Sequence, residues 1–325
     1  MPSVKRIGCR TDNRQIMPRS EPVLIPPFKR PPSRVAIRRS QSYDSALSSL
    51  LFETLQIFGL PVRGKNVFLK PNFVGPDSQR IINTHPAVVA AAREAFLRLG
   101  ASRVIIGDGP AVERDFQGIL ESMRLMDYGR DLMDDLVDLN TDDVRKLVLK
   151  THASKLSELY LPNSLQQADF VVSMPKLKTH HWAGASLSLK NMFGVVPGSC
   201  YGWPKNVLHW AGIDKAILDL NAALRPDFAI IDGIVGMEGN GPIQGQPKAC
   251  GALILGDDPV AVDATAARVM ELRPEKIKHV EAAGTLLGHI DADKIQQLGE
   301  TIESTRTDFA VLDQFQELKM NGNRG

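Results

Sequence analysis

ADFVVSMPKLKTHHWAGASLSLKNMFGVVPG, residues 168–198, joins two unlike halves. The first, ADFVVSM, is apolar without alternation, as a strand covered on both faces reads. The second crowds Lys176, Lys178, His180, His181 and Lys190 among glycines and small residues. Sheets of parallel strands covered by helices collect their ligands beyond the carboxyl ends of the strands, and this stretch has that form.

The pattern repeats on either side. VAI (35–37), NVFLK (66–70) and RVIIGDG (103–109) read as short strands, separated by helical periodicity over 45–58 and 85–100. Pro86 opens the second of these helices and Gly100 closes it. DFQGILESMRLM continues as a helix, and LVDL (136–139), KLVLK (146–150) and ELYLP (158–162) read as further strands. Beyond the quoted stretch come a helix over 213–224, strands at DFAIIDG (227–233) and ALILGD (252–257), and a helix opened by Asp258-Pro259. Alternation of this kind predicts an α/β fold, a mostly parallel sheet with helices on both faces. Residues 34–325 form that domain, with two lobes expected to meet near 215–230. Five strand ends carry polar punctuation: LKPNF (69–73), GDGP (107–110), PKLKTHH (175–181), DGIVGMEGNGP (232–242) and GDDP (256–259). A polar cleft along one sheet edge is the expectation.

The bulk numbers narrow the class. With 325 residues, 43% hydrophobic and 23% charged, the chain can bury a sizeable core. No apolar run nears the ~20 residues of a membrane helix, and MPSVKRIGCR is no secretory signal, so a cytoplasmic protein is expected. Cys9, Cys200 and Cys250 are odd in number and far apart, which fits a reducing compartment and offers neither a disulfide framework nor an iron–sulfur motif. Residues 1–39 hold ten Lys/Arg against Asp12 and Glu21, a net of +8, leaving −6 for the rest of a chain that totals +2. Residues 1–33 read as a disordered, basic, proline-rich arm. The acidic remainder argues against an extensive nucleic-acid face.

Two phosphate motifs fail. GLPVRGKN (59–66) has Walker spacing but ends in Asn66 where a hydroxyl must hold magnesium, and it precedes a strand instead of a helix. GNGPIQG (239–245) is likewise followed by a strand, so it reads as a glycine-rich turn, with a flap or anion nest as its functional alternative. The serine-hydrolase elbow and the His-Glu-x-x-His metalloprotease signature are absent.

His180, His181 and His209 fall within one short window, together with Lys176, Lys178, Lys190, Lys205 and all three tryptophans. An imidazole can carry protons or ligate a metal near neutrality, and lysines at a strand end can cap the edge in water or grip an anion. Lys190, in the helical stretch SLKNMFG, can act as a nucleophilic tether if burial lowers its pKa. Asp232, closing AIID, is the acidic candidate for orienting a histidine or metal, whereas Asp258 reads as a helix cap.

LKPNF, GDGP, MPKLKTHHWAGASLSLKNMFGVVPG, IIDGIVGMEGNGP and GDDPVAVDA together resemble the family catalogued as domain of unknown function 362, over about residues 34 to 290. Many of its relatives carry a ferredoxin-like cysteine segment; this chain has none, so no iron–sulfur cluster is implied. His180, Ala183-Gly184, Ser186, Lys190, Pro197-Gly198 and His209 are also similar to the active-site stretch of nickel-dependent lactate racemase, which implies a lactate-racemase-like fold. That resemblance implies Lys190 as the covalent tether of a nickel-pincer nucleotide, His209 as a metal ligand and His180 as the acid/base on the substrate hydroxyl. The racemase's second catalytic histidine falls where this chain reads GDGP, leaving Asp108 or His85 as its substitute.

The reading reached is an enzyme that moves a proton or hydride on a small carboxylated or hydroxylated anion. His180, Lys190 and Asp108 are its catalytic candidates. Lys190, Lys176, Lys178, Asn72 and Asp232 would bind the cofactor or substrate. His209 and His181 would hold a divalent metal, nickel or zinc. The alternatives are a zinc hydrolase built on His180, His181, His209 and Cys200, and a non-catalytic anion-binding module.

Overall fold

The computed structural model of the chain describes residues 30–320, apart from 112, 113, 150 and 152. The basic arm expected over 1–33 lies almost wholly outside the described residues; Ser33 already belongs to the first strand.

Twelve strands are present among the described residues. In chain order, with the three leading helices, they are β1 (Ser33–Arg39), α1 (Ala46–Phe58), β2 (Asn66–Pro71), α2 (Pro86–Arg98), β3 (Arg103–Asp108), α3 (Phe116–Ser122), β4 (Leu136–Asp138), β5 (Val144–Val148) and β6 (Glu158–Pro162). Then follow β7 (Phe170–Met174), β8 (Lys176–His180), β9 (Gly184–Ser186), β10 (Phe228–Glu238), β11 (Gln246–Gly256) and β12 (Ile295–Gly299). The large sheet runs β12-β1-β11-β10-β7-β2-β3-β4, with β8 and β9 attached through β10. Along that path every neighbouring pair is parallel except the two made by β11. The fold is α/β with a mostly parallel sheet. β5 and β6, expected as further strands, pair only with each other.

Side-chain alternation divides the core into two layers. Val67, Leu69, Ile230 and Leu255 join the layer under α1, α2 and α3, with Leu51, Leu55, Phe96 and Ile119. Phe68, Ile231 and Ile254, one residue out of step, join the layer under the helices Ile213–Leu224, Pro259–Val269 and Lys278–Leu286. Helices therefore cover both faces, which explains why the central strands read as unbroken apolar runs. Gly59 ends α1 in the left-handed region at φ 58°, where a side chain would be strained. Residues 215–230 comprise most of the helix Ile213–Leu224 and the start of the central strand β10.

Beyond β7 the polar strand end is itself a strand, β8, over Lys176–His180. Pro175 interrupts the run, after which β8 pairs with the far half of β10, Lys176 opposite Asp232. Their side chains form an ion pair at 2.8 Å, both fully buried. Asp232 also accepts hydrogen bonds from the Tyr43 hydroxyl (3.0 Å) and the His85 backbone N–H (2.9 Å), so one carboxylate ties α1 and α2 to the sheet.

This pair generates a stability prediction. Asp232→Ala leaves the Lys176 ammonium buried and unpaired and should cost about 3–5 kcal/mol in denaturant unfolding. A double change to apolar residues, Asp232→Leu with Lys176→Met, should recover the part of that loss due to the stranded charge but not the part due to the Tyr43 hydroxyl and His85 N–H, which still lose their acceptor. If the single variant unfolds at the wild-type midpoint, the pair does not hold the sheet.

Candidate active site

A cavity of about 770 Å³ opens at the carboxyl edge of the parallel strands. Asn72 and Phe73 beyond β2, Asp108 and Gly109 at β3, and Lys178 and His180 on β8 contribute to its wall. The turn between β10 and β11 adds Asn240, Pro242, Ile243 and Gln244. Four of the five polar strand ends thus reach it. The fifth, GDDP, does not: β11 is antiparallel, so its carboxyl end lies at the opposite edge, where Gly256 faces Ala229 at the start of β10. There Asp257 pairs with Arg34 and Asp258 caps the helix Pro259–Val269.

Period-2 alternation puts Lys176, Lys178 and His180 on one side of β8. Lys176 is consumed by Asp232, and neither lines the cavity, so their expected role in binding gives way to a structural one. Lys178 does line it; its ammonium donates to the Ile82 carbonyl (2.9 Å) and reaches the Pro242 carbonyl (3.4 Å). Burial first, then the neighbouring Lys190 and Lys176, lower its pKa to about 7.

The segment that carries Lys190 is anchored from below. Asp263, in the helix Pro259–Val269, accepts from the Ser188 hydroxyl and the N–H groups of Ser188 and Leu189. Asn191 accepts from the Lys70 ammonium (3.0 Å) and donates to the Lys70 carbonyl. Lys190 itself, half-buried, has no hydrogen-bond partner among the described residues. Its ammonium sits 4.2 Å from the centre of the Phe193 ring, and burial followed by Lys70 lowers its pKa to about 8.

Asp108 lines the cavity without a free oxygen to act as a base. It pairs with buried Lys70 at 2.6 Å and accepts from the Phe73 and Gly109 N–H groups. His85, the other substitute for a second catalytic histidine, is absent from the wall: its Nδ1 caps α2 by accepting from Ala87, and its ring stacks on Tyr43 at 3.6 Å.

Lys205, noted in the sequence but not assigned a role there, is a further cavity lysine. It adopts φ 65°, unusual for a lysine, and is buried with its ammonium on the carbonyls of Gly109 (2.5 Å) and Gly194 (3.3 Å). Burial lowers its pKa to about 7. Only tertiary folding reveals it, because its own stretch of sequence is an irregular loop.

His180, His181 and His209 share the cavity wall with Lys190. The His180 Nδ1 accepts from the backbone N–H groups of Trp182 (3.1 Å) and Ala183 (3.2 Å), so the ring is neutral with its proton on Nε2. Burial, then Lys190, drives its pKa far below the ordinary value, and it stays uncharged. The His181 Nδ1–H donates to the Gly241 carbonyl at 2.7 Å, which in the neutral ring places the lone pair on Nε2, the opposite tautomer to His180. The two rings stack with centroids 5.0 Å apart. Trp182 lies edge-on to both His181 (4.7 Å) and His209 (5.0 Å). The His209 Nδ1 and the Asn72 Oδ1 are buried without hydrogen bonds, and burial followed by Lys190 lowers the His209 pKa to about 4.

Among the described residues, no group of three or more His, Cys, Asp and Glu side chains is placed to hold a metal ion. The zinc-hydrolase set is therefore not assembled among the described residues, and the His180 Nδ1 is already occupied by the Trp182 and Ala183 N–H groups.

Residues 67–268 match the family model described as Domain of unknown function (DUF362). A thylakoid-associated protein of Synechocystis sp. is 32% identical over 262 residues, covering 76% of this chain and 78% of its own length. Among solved structures, the lactate racemase apoprotein from Thermoanaerobacterium thermosaccharolyticum is similar with a TM-score of 0.39 and 14% identity, over 64% of this chain and 51% of that one. A Thermotoga maritima protein is similar with a TM-score of 0.34 and 10% identity, over 65% of this chain and 55% of that one. The chain spans about half the length of each solved structure. No helix among the described residues is long and apolar enough to cross a membrane.

Two measurements check the site. A Cβ at Gly194 would collide with Asp108 Oδ1 and Lys70 Nζ, so Gly194→Ala should destabilise the protein by about 1–3 kcal/mol. Acidification should act through the buried neutral histidines. Unfolded, His85 and His209 take up protons near 6.5, whereas folded they do so only at about 4. The unfolded state therefore binds more protons between those values, and stability should fall as pH drops from about 6.5 towards about 4. Denaturation midpoints that stay flat over that window would show these histidines to be solvated.

Proposed function

The chain belongs to the family described as Domain of unknown function (DUF362), and from that membership and the cavity we propose that it is an enzyme that moves a proton on a small carboxylated or hydroxylated substrate. The observation that carries the reading is the pair of stacked imidazoles fixed in opposite tautomers. His180 offers an Nε2–H to a carbonyl or alkoxide oxygen, and a neutral imidazole held this way stabilises developing negative charge. His181 offers an Nε2 lone pair that can take a proton from carbon or hydroxyl. Lys178, Lys190 and Lys205 hold the substrate's anionic group. This exchanges the parts expected from the racemase resemblance: His180 is the donor, and the proton acceptor is its neighbour.

Proton transfer uses the chain's own groups; a hydride route needs an electron-accepting group in the same cavity. Among the described residues no set of side chains is placed to hold a metal ion, and Lys190 serves the substrate's anionic group, a role that a covalent tether to its amine would prevent. Cytoplasmic placement is part of the proposal; the relative's name adds association with thylakoids, which cell fractionation tests.

The reaction is tested by incubating the protein with a panel of 2-hydroxy and 2-oxo acids in deuterated water and following loss of the carbon-bound proton by NMR. His181→Ala should lower exchange by about 10²–10⁴-fold, and His180→Ala by about 10²–10³-fold. If both variants exchange any turned-over acid at the wild-type rate, the imidazole pair is not the catalyst.

A further inference from the structure

Two kinds of buried lysine meet at this cavity. Lys70 is neutralised by Asp108 at 2.6 Å. Lys178, Lys190 and Lys205 touch no carboxylate: the first and third rest on backbone carbonyls, the second on an aromatic ring. The other charged groups facing them do not close the gap. Asp77 acts on Lys178 from a distance while accepting from the N–H groups of Ile81, Ile82 and Asn83. Asp108 acts on Lys205 and, more weakly, on Lys178, but its oxygens are committed to Lys70 and to the Phe73 and Gly109 N–H groups; Asp138 also acts on Lys205 while accepting from the Asn140 N–H. Lys176, Lys70, His181 and His279 add only positive or neutral character around the same groups, and His180 and His209 are held neutral. Clustered ammoniums without carboxylates are costly to bury, and the missing charge is negative.

We propose that the cavity receives an anion bearing at least two negative charges, a dicarboxylate or a phosphorylated compound, seated among the ammonium groups of Lys178, Lys190 and Lys205, and that this anion binds together with protons. The inference rests on reading the cavity as the substrate site, and it narrows that substrate: a dianion offsets more of the cluster's charge than a monocarboxylate does. Proton coupling follows from the same geometry. Empty, the cluster sheds part of its charge, since burial and mutual repulsion bring these amines to about 7 or 8. A bound dianion favours the charged forms, so protons enter with it and affinity falls as pH rises through that range.

Isothermal titration calorimetry on the full chain tests this with lactate, malonate and inorganic pyrophosphate, from about pH 6.5 to about pH 8.5, in two buffers of different ionisation enthalpy. At least one dianion should bind about tenfold or more tighter than lactate. Its affinity should fall by about tenfold per pH unit for each proton taken up, with buffer-dependent heats that report that uptake. Malonate alone binding assigns the dicarboxylate, pyrophosphate alone the phosphorylated compound. Lys190→Met loses no hydrogen bond, should fold with at least wild-type stability and should lose most of the preference for the dianion; Lys190→Gln serves if the methionine variant does not fold. Equal affinities for lactate and both dianions, a pH-independent affinity without proton uptake, or an unchanged preference in the folded Lys190 variant would overturn the proposal. Because binding is read without turnover, a failed exchange assay with intact dianion binding would remove the reaction and leave this inference standing.

Discussion

The Asp232 carboxylate is the constraint from which the rest of the molecule is positioned. It pairs with Lys176 across the β8–β10 register and accepts from the Tyr43 hydroxyl and the His85 N–H. It therefore fixes where β8 starts after Pro175. Everything downstream on β8 inherits that placement: two residues on, Lys178 enters the cavity, and two further on comes His180. A one-residue slip would turn these side chains to the opposite face of the strand and replace them with Leu177 and Thr179. The ion pair contributes little net stability over an apolar equivalent, but breaking it strands a charge in the core. Its value is register.

The same sheet edge then shows two opposite treatments of lysine. Lys70 and Lys176 are fully buried and fully matched, each by one aspartate. Lys178, Lys190 and Lys205 are packed around a cavity with carbonyls and a ring in place of carboxylates. A chain selected only for stability would not keep three such amines beside one another, nor hold Lys205 at φ 65° to deliver one of them. Matched lysines hold the walls while the unmatched ones line the cavity. Asp263 shows the cost of that precision on the acidic side. Buried to hold the Ser188–Leu189 amides, its pKa is pushed up to about 7.

Much of this was legible in the sequence, and the failures have physical causes. Unbroken apolar runs marked the central strands because helices cover both faces, and Asp258-Pro259 marked a helix start that the structure repeats. Four strand ends converged as expected; GDDP did not, because strand direction is not written in a local window and β11 runs backwards. PKLKTHH carried the polar punctuation of a strand end because Pro175 and two lysines break the apolar pattern, whereas the register with β10 makes Lys176–His180 a strand of its own. His180, His181, His209 and Lys190 were found by their crowding. Lys176 and Asp232 had the same signal, and only their contact with each other separates a structural pair from a binding one. Nothing local marks Lys205, whose partners are the carbonyls of Gly109 and Gly194.

The proposed proton transfer is limited by which groups of the wall are free. Inversion of a carbon centre through both faces asks for two opposed bases. The oxygens of Asp108 are committed to Lys70 and to the N–H groups of Phe73 and Gly109. His85 is committed to capping α2. In the proposed reaction, donor and acceptor are instead consecutive residues. Their backbone contacts are two N–H groups into His180 and one carbonyl onto His181, and neither ring can exchange its tautomer without losing a hydrogen bond. With rings stacked 5.0 Å apart, both would act from the same side of a substrate, which suits moving a proton between neighbouring atoms on one face better than it suits inversion.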